Sequence, residues 1–209
     1  MVLFRGAKRS LRRSEVHWFH ILVSFIDKKL EKVILICGPS WSGKWTLAKY
    51  LQEKHGSILY QFSHPLHTIL SDLDIPNTRD NLGKLSLSLR QNFGEHILGF
   101  WAHEFVEKNK WALIVMEWIR RIESLDGWEE MIDHIIWIES SPNIRYERMR
   151  IRWEKSKEDI LTYEDFFRQE SWEAEQSLGK LRDRADIMIE NSFSLEELYA
   201  DFERYFTRP

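Results

Sequence analysis

A glycine-containing segment between an apolar run and a helix-like run has the residue types that bind phosphate. The segment reads Gly38-Pro39-Ser40-Trp41-Ser42-Gly43-Lys44-Trp45-Thr46 and directly follows the apolar residues Val33–Cys37. In a strand, glycine loop and helix, successive backbone N–H groups and the positive helix end converge on an anion. Lys44 would then reach the outer phosphates of a polyphosphate. We interpret the segment as a phosphate-binding loop rather than a helix start that contains Gly-Lys by chance.

Three arginines are spaced so that they share one face of a helix. Arg145, Arg148 and Arg152 stand at positions i, i+3 and i+7. Their planar guanidinium groups suit the oxygens of a polyphosphate, which they bind in a bidentate manner. The charged residues that follow favour a lid over about residues 145–176, which would exclude water during a reaction. The competing interpretation is a basic helix that pairs with the acidic run behind it.

Other kinds of catalytic site lack their residues in this sequence. The histidine pairs His64/His67 and His96/His103 are weak metal signals, and no set of cysteines has zinc-ligand spacing. A Ser-His-Asp hydrolase would need a nucleophile elbow, which does not occur.

Composition is that of an ordinary globular domain. Of 209 residues, 43% are hydrophobic and 30% are charged, and the net charge of -3 argues against a nucleic-acid partner. No apolar stretch approaches the roughly 20 residues of a membrane span. Cys37 is the only cysteine, which fits a small core residue and a reducing compartment, so we expect a cytoplasmic protein.

The first 32 residues form a basic leader. They carry a net charge of +5, and basic residues precede an apolar run, as in a signal peptide, but no small-residue cleavage site follows. We favour an extra amphipathic helix or an upstream start codon, and we place the folded domain at residues 33–209.

Apolar runs alternate with amphipathic segments from residue 33 onward. The predicted strands are Val33–Cys37, Ser57–Phe62, Ala112–Glu117, His134–Glu139 and Ala185–Glu190. Helix-start signals follow at Ser141-Pro142, Thr162 and Ser194. This alternation predicts an α/β fold with a parallel sheet covered by helices.

The loop resembles the Walker A sequence Gly-x-x-Gly-x-Gly-Lys-Gly-Thr of nucleoside monophosphate kinases. From about Val33 to Phe206 the chain is similar to the P-loop kinases related to dephospho-CoA kinase. The resemblance implies an adenylate-kinase-like, five-stranded parallel sheet, a helical lid, and ATP with Mg²⁺. It implies nucleotide contacts from loop residues, namely Gly38, Ser40, Trp41, Ser42, Gly43, Lys44, Trp45 and Thr46.

The same resemblance implies a set of catalytic residues. These are Lys44, Glu117, Arg148 and Arg152. Glu117 ends a predicted strand where the family has an acid, so it would hold the metal through water or accept the acceptor's proton. Without the resemblance, a surface role for this carboxylate is equally favoured.

Acceptor contacts are implied for five further residues, Ser63, Arg79, Arg90, Arg120 and Arg145. His64 stands where some relatives have an aspartate. An arginine on a solvated helix face is the competing interpretation for each isolated arginine.

Tryptophan occupies four positions where the family has glycine. These are Trp41, Trp45, Trp118 and Trp153, in a chain with ten tryptophans and nine glycines. A bulky side chain at position 41 should obstruct the close approach of the loop to phosphate. One hypothesis is that these positions are UGA codons, which some genetic codes read as glycine and others as tryptophan, and that they were translated with the wrong code. The other is a true, degenerate loop.

The leading functional hypothesis is therefore a kinase that moves the γ-phosphate of ATP to a nucleoside monophosphate or to dephospho-CoA. The alternative is a catalytically degenerate P-loop protein that binds nucleotide. Membrane or nucleic-acid binding through the leader is a third hypothesis. The acceptor and the oligomeric state stay open.

Overall fold

Five parallel strands form one sheet in the computed structural model, which describes residues 32–156, 162–173 and 178–206. The strands are β1 Lys32–Cys37, β2 Ile58–Gln61, β3 Leu113–Glu117, β4 His134–Glu139 and β5 Ile187–Glu190. Their order across the sheet is β2-β3-β1-β4-β5. The predicted α/β fold with a five-stranded parallel sheet is confirmed. Strand β1 begins one residue before its predicted start, because Lys32 pairs with Leu113 of β3.

Helices connect the strands and cover both faces of the sheet. They are α1 Lys44–His55, α2 His64–Asp72, α3 Arg79–Phe93, α4 Ile97–Asn109, α5 Pro142–Ser156, α6 Tyr163–Glu173, α7 Gly179–Asp183 and α8 Leu195–Phe206. Two 3-10 turns, Ile122–Leu125 and Glu129–Met131, lie between β3 and β4.

Side-chain caps begin three of these helices. The Thr78 hydroxyl accepts a hydrogen bond from the Asn81 backbone N–H at 3.2 Å at the start of α3. At the start of α8, Ser194 Oγ accepts from the Glu197 N–H at 3.2 Å, while the Glu197 carboxylate accepts from the Ser194 N–H at 3.0 Å. This is the predicted capping box. The predicted cap at Thr162 is also present, with the Asp165 N–H 3.2 Å from the threonine hydroxyl.

The core lies on the two faces of the sheet, and β1 contributes to both. Val33, Leu35 and Cys37 pack on one face. Ile34 and Ile36 pack on the other against α1 and α8. This alternation is the period of two that a strand imposes on its side chains. Burial raises the pKa of the Cys37 thiol to about 12, so it is a core residue and not a reactive thiol.

Two sequence predictions fall partly outside the described ranges. The basic leader is one of them, because residues 1–31 are not described. The predicted lid is the other. Helix α6 and all but the first residues of α5 lie within it, whereas residues 157–161 and 174–176 are outside the described residues. Among the helices of the described ranges, none has the length and apolar character needed to cross a membrane.

Candidate phosphate-binding site

The glycine loop leaves the carboxyl end of β1 and leads directly into α1. Gly38 and Gly43 have φ values of 140° and 107°, which L side chains rarely adopt. A Cβ at Gly38 would overlap the backbone carbonyl oxygen of Ile138, and one at Gly43 would overlap the Asn191 amide. Both predicted loop glycines are therefore needed for the close packing of the loop against β4 and the residue after β5.

Lys44, the first residue of α1, turns back over the loop. Its ammonium donates to the carbonyl oxygens of Gly38 at 2.9 Å and Pro39 at 2.6 Å. The side chain is buried. Burial lowers its pKa from 10.5 to about 8, and the positive charge of Arg120 adds to this effect. A positive charge held in a buried loop favours the binding of an anion.

Glu117 ends β3 beside this lysine and is fully buried. One carboxylate oxygen, Oε1, accepts a hydrogen bond from the Gln61 amide at 2.7 Å. Among the described residues, Oε2 has no hydrogen-bond partner. Burial raises the pKa of Glu117, and the Gln61 hydrogen bond, Lys44 and the Trp118 side chain oppose that rise.

The three predicted arginines lie on α5, and all reach the loop. The Arg145 guanidinium donates to the carbonyl oxygens of Ser140 at 2.9 Å and Ser40 at 3.3 Å. Arg152 is exposed, and its guanidinium lies 5.7 Å from the centre of the Trp41 ring.

Arg148 contacts the loop and the residues directly after β4 and β5. It donates to the carbonyl oxygens of Trp41 and Ser42, each at 3.4 Å, and to the Ser140 hydroxyl at 3.2 Å. It also donates to the Asn191 carbonyl oxygen at 2.8 Å. Burial lowers the pKa of Arg148. Its guanidinium therefore joins α5 to the loop and to the end of β5.

Three residues of the site were not identified from the sequence, and Ser140, directly after β4, is one of them. Asn191 is buried directly after β5, and its amide donates to the Ser42 carbonyl oxygen at 2.7 Å. Gln61 is the last residue of β2 and bonds to Glu117. Each is a polar residue at or directly after the carboxyl end of a predicted strand, as is Glu117, which the family resemblance identified.

The predicted acceptor residues occupy several places. Arg120 lies close enough to Lys44 to influence its pKa. Ser63 precedes α2 at the carboxyl end of β2, and Arg79 is exposed at the first residue of α3. Arg90 donates to the Ser86 hydroxyl at 2.6 Å, and its Nε lies 3.5 Å from a Glu95 carboxylate oxygen. The contacts thus place Arg120 and Arg145 at the loop.

The four tryptophans at predicted glycine positions differ in conformation. Trp41 and Trp118 have left-handed backbones, with φ of 65° and 68°. Trp45 lies in the first turn of α1, and its side chain is exposed. Trp153 is in α5, and its side chain lies outside the description.

The described ranges contain no metal site that is built from protein ligands alone. Within them, no group of three or more His, Cys, Asp or Glu residues could hold an ion. A metal held mainly by a nucleotide and water needs fewer protein ligands. The buried, unpartnered Oε2 of Glu117 fits such an arrangement.

This chain is similar to known proteins in sequence and in fold. The profile of a family described as AAA domain matches residues 34–176. A UPF0200 protein of Hyperthermus butylicus is 25% identical over 177 residues, which cover 84% of this chain and 94% of that protein. A UPF0200 protein of Saccharolobus islandicus is 28% identical over 171 residues, covering 79% and 87%.

Two kinases of solved structure have a similar fold. A gluconokinase from Sinorhizobium meliloti superimposes with a TM-score of 0.54 at 14% identity and covers 86% of this chain and 93% of its own. A shikimate kinase from Bacteroides thetaiotaomicron gives 0.51 at 11% identity, covering 83% and 95%. At these identities the likeness shows the fold alone, which is the α/β P-loop fold.

Proposed function

The chain belongs to the AAA domain family and has the P-loop kinase fold, and on that premise we propose that it transfers the γ-phosphate of ATP to a small nucleotide-like acceptor. A nucleoside monophosphate and dephospho-CoA are the two acceptors that the sequence resemblance favours. One observation carries the proposal: Lys44, Glu117 and Arg148 meet at one glycine loop, with Lys44 and Glu117 both buried.

Charge neutralisation is the main contribution that these residues can make. Phosphoryl transfer needs little covalent work from a protein, and positioned positive charge stabilises the transition state. Lys44 holds such a charge at the loop, and Arg145 and Arg152 approach from α5. A bound phosphate would replace the Gly38 and Pro39 carbonyls as the partner of the Lys44 ammonium, and it would raise the lysine pKa again.

Glu117 is the candidate for the metal-linked and proton-transfer roles. Mg²⁺ that arrives with ATP would supply charge neutralisation between the outer phosphates. Glu117 would hold such an ion through water with its unpartnered Oε2, while Gln61 fixes Oε1. The raised pKa of the buried carboxyl also suits acceptance of a proton from the acceptor hydroxyl or phosphate.

A second function has one observation in its favour. The Trp118 ring centre lies 5.7 Å from the Lys44 ammonium, over the group that would meet phosphate. A protein with this indole in place would bind nucleotide weakly and transfer no phosphate. This is the catalytically degenerate P-loop protein that the sequence predicts if tryptophan is the true residue at these positions.

A transfer assay separates the two functions. ATP is supplied together with each nucleoside monophosphate or with dephospho-CoA, and the assay measures ADP and the phosphorylated acceptor. It compares the protein that has all ten tryptophans with the double variant Trp41→Gly/Trp118→Gly. We expect transfer in the double variant, and Lys44→Ala in that background should abolish it.

The matched control for that experiment is Lys49→Ala, on the same helix. The Lys49 ammonium bonds to Gln52 at the surface, so its loss should leave transfer unchanged. ATP binding without transfer to any acceptor would support the degenerate protein instead. Transfer that survives Lys44→Ala would rule out the assigned loop.

A further inference from the structure

Two tryptophans have a backbone conformation that suits glycine. Within the described ranges, three residues other than glycine have positive φ: Trp41 at 65°, Trp118 at 68° and Asp74 at 54°. Aspartate tolerates the left-handed region, whereas a bulky residue there is a clear outlier. Both outliers belong to the site, since Trp41 lies within the phosphate-binding loop and Trp118 directly follows Glu117.

The indoles of both residues lie against cations of the site. The Trp118 ring centre is 5.7 Å from the Lys44 ammonium and 5.5 Å from the Arg120 guanidinium carbon. The Trp41 ring centre is 5.7 Å from the guanidinium carbon of Arg152. A ring over a cation makes a favourable contact, and a phosphate oxygen would have to displace it. Both side chains therefore compete with the anion for the same charges.

We infer that positions 41 and 118 are glycine in the working protein, encoded by UGA codons that its own cell reads as glycine. Glycine adopts φ values near +65° without steric cost. It would also remove both rings and leave Lys44 open toward the loop. The inference rests on backbone conformation and ring contacts, so it stands whether or not the site transfers phosphate.

The same geometry separates these positions from other tryptophans. Trp45 has a helical backbone and an exposed side chain, so its conformation does not call for glycine. Trp128 is buried, and its indole N–H donates to the Ser124 carbonyl oxygen at 2.8 Å. A glycine at position 128 would leave a cavity and an unpartnered carbonyl, so this residue should be tryptophan in the cell.

Peptide mass spectrometry of the protein purified from its native cells tests the inference directly. We expect the masses of glycine at positions 41 and 118 and of tryptophan at position 128. Tryptophan at both 41 and 118 would overturn the inference. If glycine is found and the same preparation transfers no phosphate, the proposed function fails while the inference holds.

Variants made with the standard genetic code test the physical reason. Trp41→Gly and Trp118→Gly should each raise the melting temperature, by roughly 2–4 °C, because each relieves a left-handed backbone. Trp118→Gly should also increase the affinity for inorganic tripolyphosphate. The matched control is Trp111→Gly, which removes a more exposed ring from a turn that is not left-handed. Melting temperatures that fall in both glycine variants, with no gain in tripolyphosphate binding, would contradict the inference.

Discussion

Lys44 is the buried cation of the phosphate-binding loop. It is buried with Arg120 and Arg145 near it, and Glu117 offsets their charge only in part. Such a site is unfavourable for an ammonium group until an anion enters. Without a ligand, the charge of Lys44 destabilises the folded state. The free energy of unfolding should therefore depend on pH between the folded and the unfolded pKa of this lysine.

The contribution of Lys44 to stability should rise as the pH goes from about 8 to the ordinary lysine value of 10.5, while the buried Cys37 thiol opposes it above about pH 9 in the wild type and in a Lys44 variant alike. In that window the unfolded chain keeps the Lys44 proton and the folded chain loses it, so the folded state gains up to roughly 3 kcal/mol. Lys44→Met should lack this rise. Urea unfolding over a pH series measures it, with Lys49→Met as the control for the other lysines and tyrosines. If the free energy of unfolding varies with pH in the same way for wild type and Lys44→Met, the prediction is contradicted.

The hydrogen bond between Gln61 and Glu117 gives a second prediction about single residues. Gln61→Leu should lower the free energy of unfolding by about 1–3 kcal/mol at neutral pH, since a buried carboxylate oxygen loses its donor. The loss should shrink as the pH falls, because protonation removes the buried charge. Urea unfolding at neutral and acidic pH tests both parts. Gln91→Leu, an exposed position on α3, is the control. An equal loss at both pH values would show that packing, and not the carboxylate, is responsible.

Helix α5 and the glycine loop act as one unit at the scale of elements. The helix begins at Pro142 after β4, and its inward face carries Arg145 and Arg148. Arg148 donates to two loop carbonyls and to the carbonyl of Asn191, and the Asn191 amide donates to the loop again. The loop is therefore held from outside by groups on α5 and after β5, which pre-organises it for a ligand.

Removing this connection should loosen the loop. We expect Arg148→Ala to lose about 1–3 kcal/mol of stability, because it breaks a 2.8 Å charge-assisted hydrogen bond and several longer ones. It should also weaken ATP binding by the Trp41→Gly/Trp118→Gly protein. Arg150→Ala is the matched control on the same helix, because Arg150 pairs with Glu147 at the surface. Its stability change should stay within about 0.5 kcal/mol. Equal effects of the two variants, measured by urea unfolding and calorimetry, would argue against the role of Arg148.

The order of strands places the site in the whole molecule. Strand β1 lies between β3 and β4, and the chain runs from β1 to one side of the sheet and later to the other. The carboxyl ends of parallel strands face one edge, and a crevice opens where the strand order reverses. Site residues follow β1, β3, β4 and β5 at this edge: the glycine loop, Trp118, Ser140 and Asn191.

The basic leader should be dispensable for this architecture. Deleting residues 1–31 should leave the melting temperature and the tripolyphosphate affinity of the Trp41→Gly/Trp118→Gly protein unchanged, because β1 begins at Lys32. Circular dichroism and calorimetry measure both quantities. Deleting residues 1–35 is the control, since it removes most of the central strand and should prevent folding. A folded protein that lacks residues 1–31 and no longer binds would show that the leader belongs to the site.

Local patterns in the sequence determined the elements of this protein. The apolar runs predicted all five strands, and the cap at Ser194 predicted the start of α8, because each signal lies within a few residues. The glycine loop was also local, since its glycines, its lysine and the two flanking elements are consecutive. Lys44 was named from the loop motif and Arg145 and Arg148 from their helical spacing, and the family resemblance supplied their roles.

Only the tertiary structure decided which groups meet. Gln61 bonds to a residue 56 positions away, and Asn191 bonds to one 149 positions away. Parallel pairing of β2 with β3 brings the first pair together, as Gln61 and Glu117 share a register. The backbone conformation of Trp41 and Trp118 was likewise beyond sequence patterns, which suggested glycine at four positions alike. The left-handed φ values distinguish two of the four, because a conformation depends on how the chain folds around the site and not on residue type.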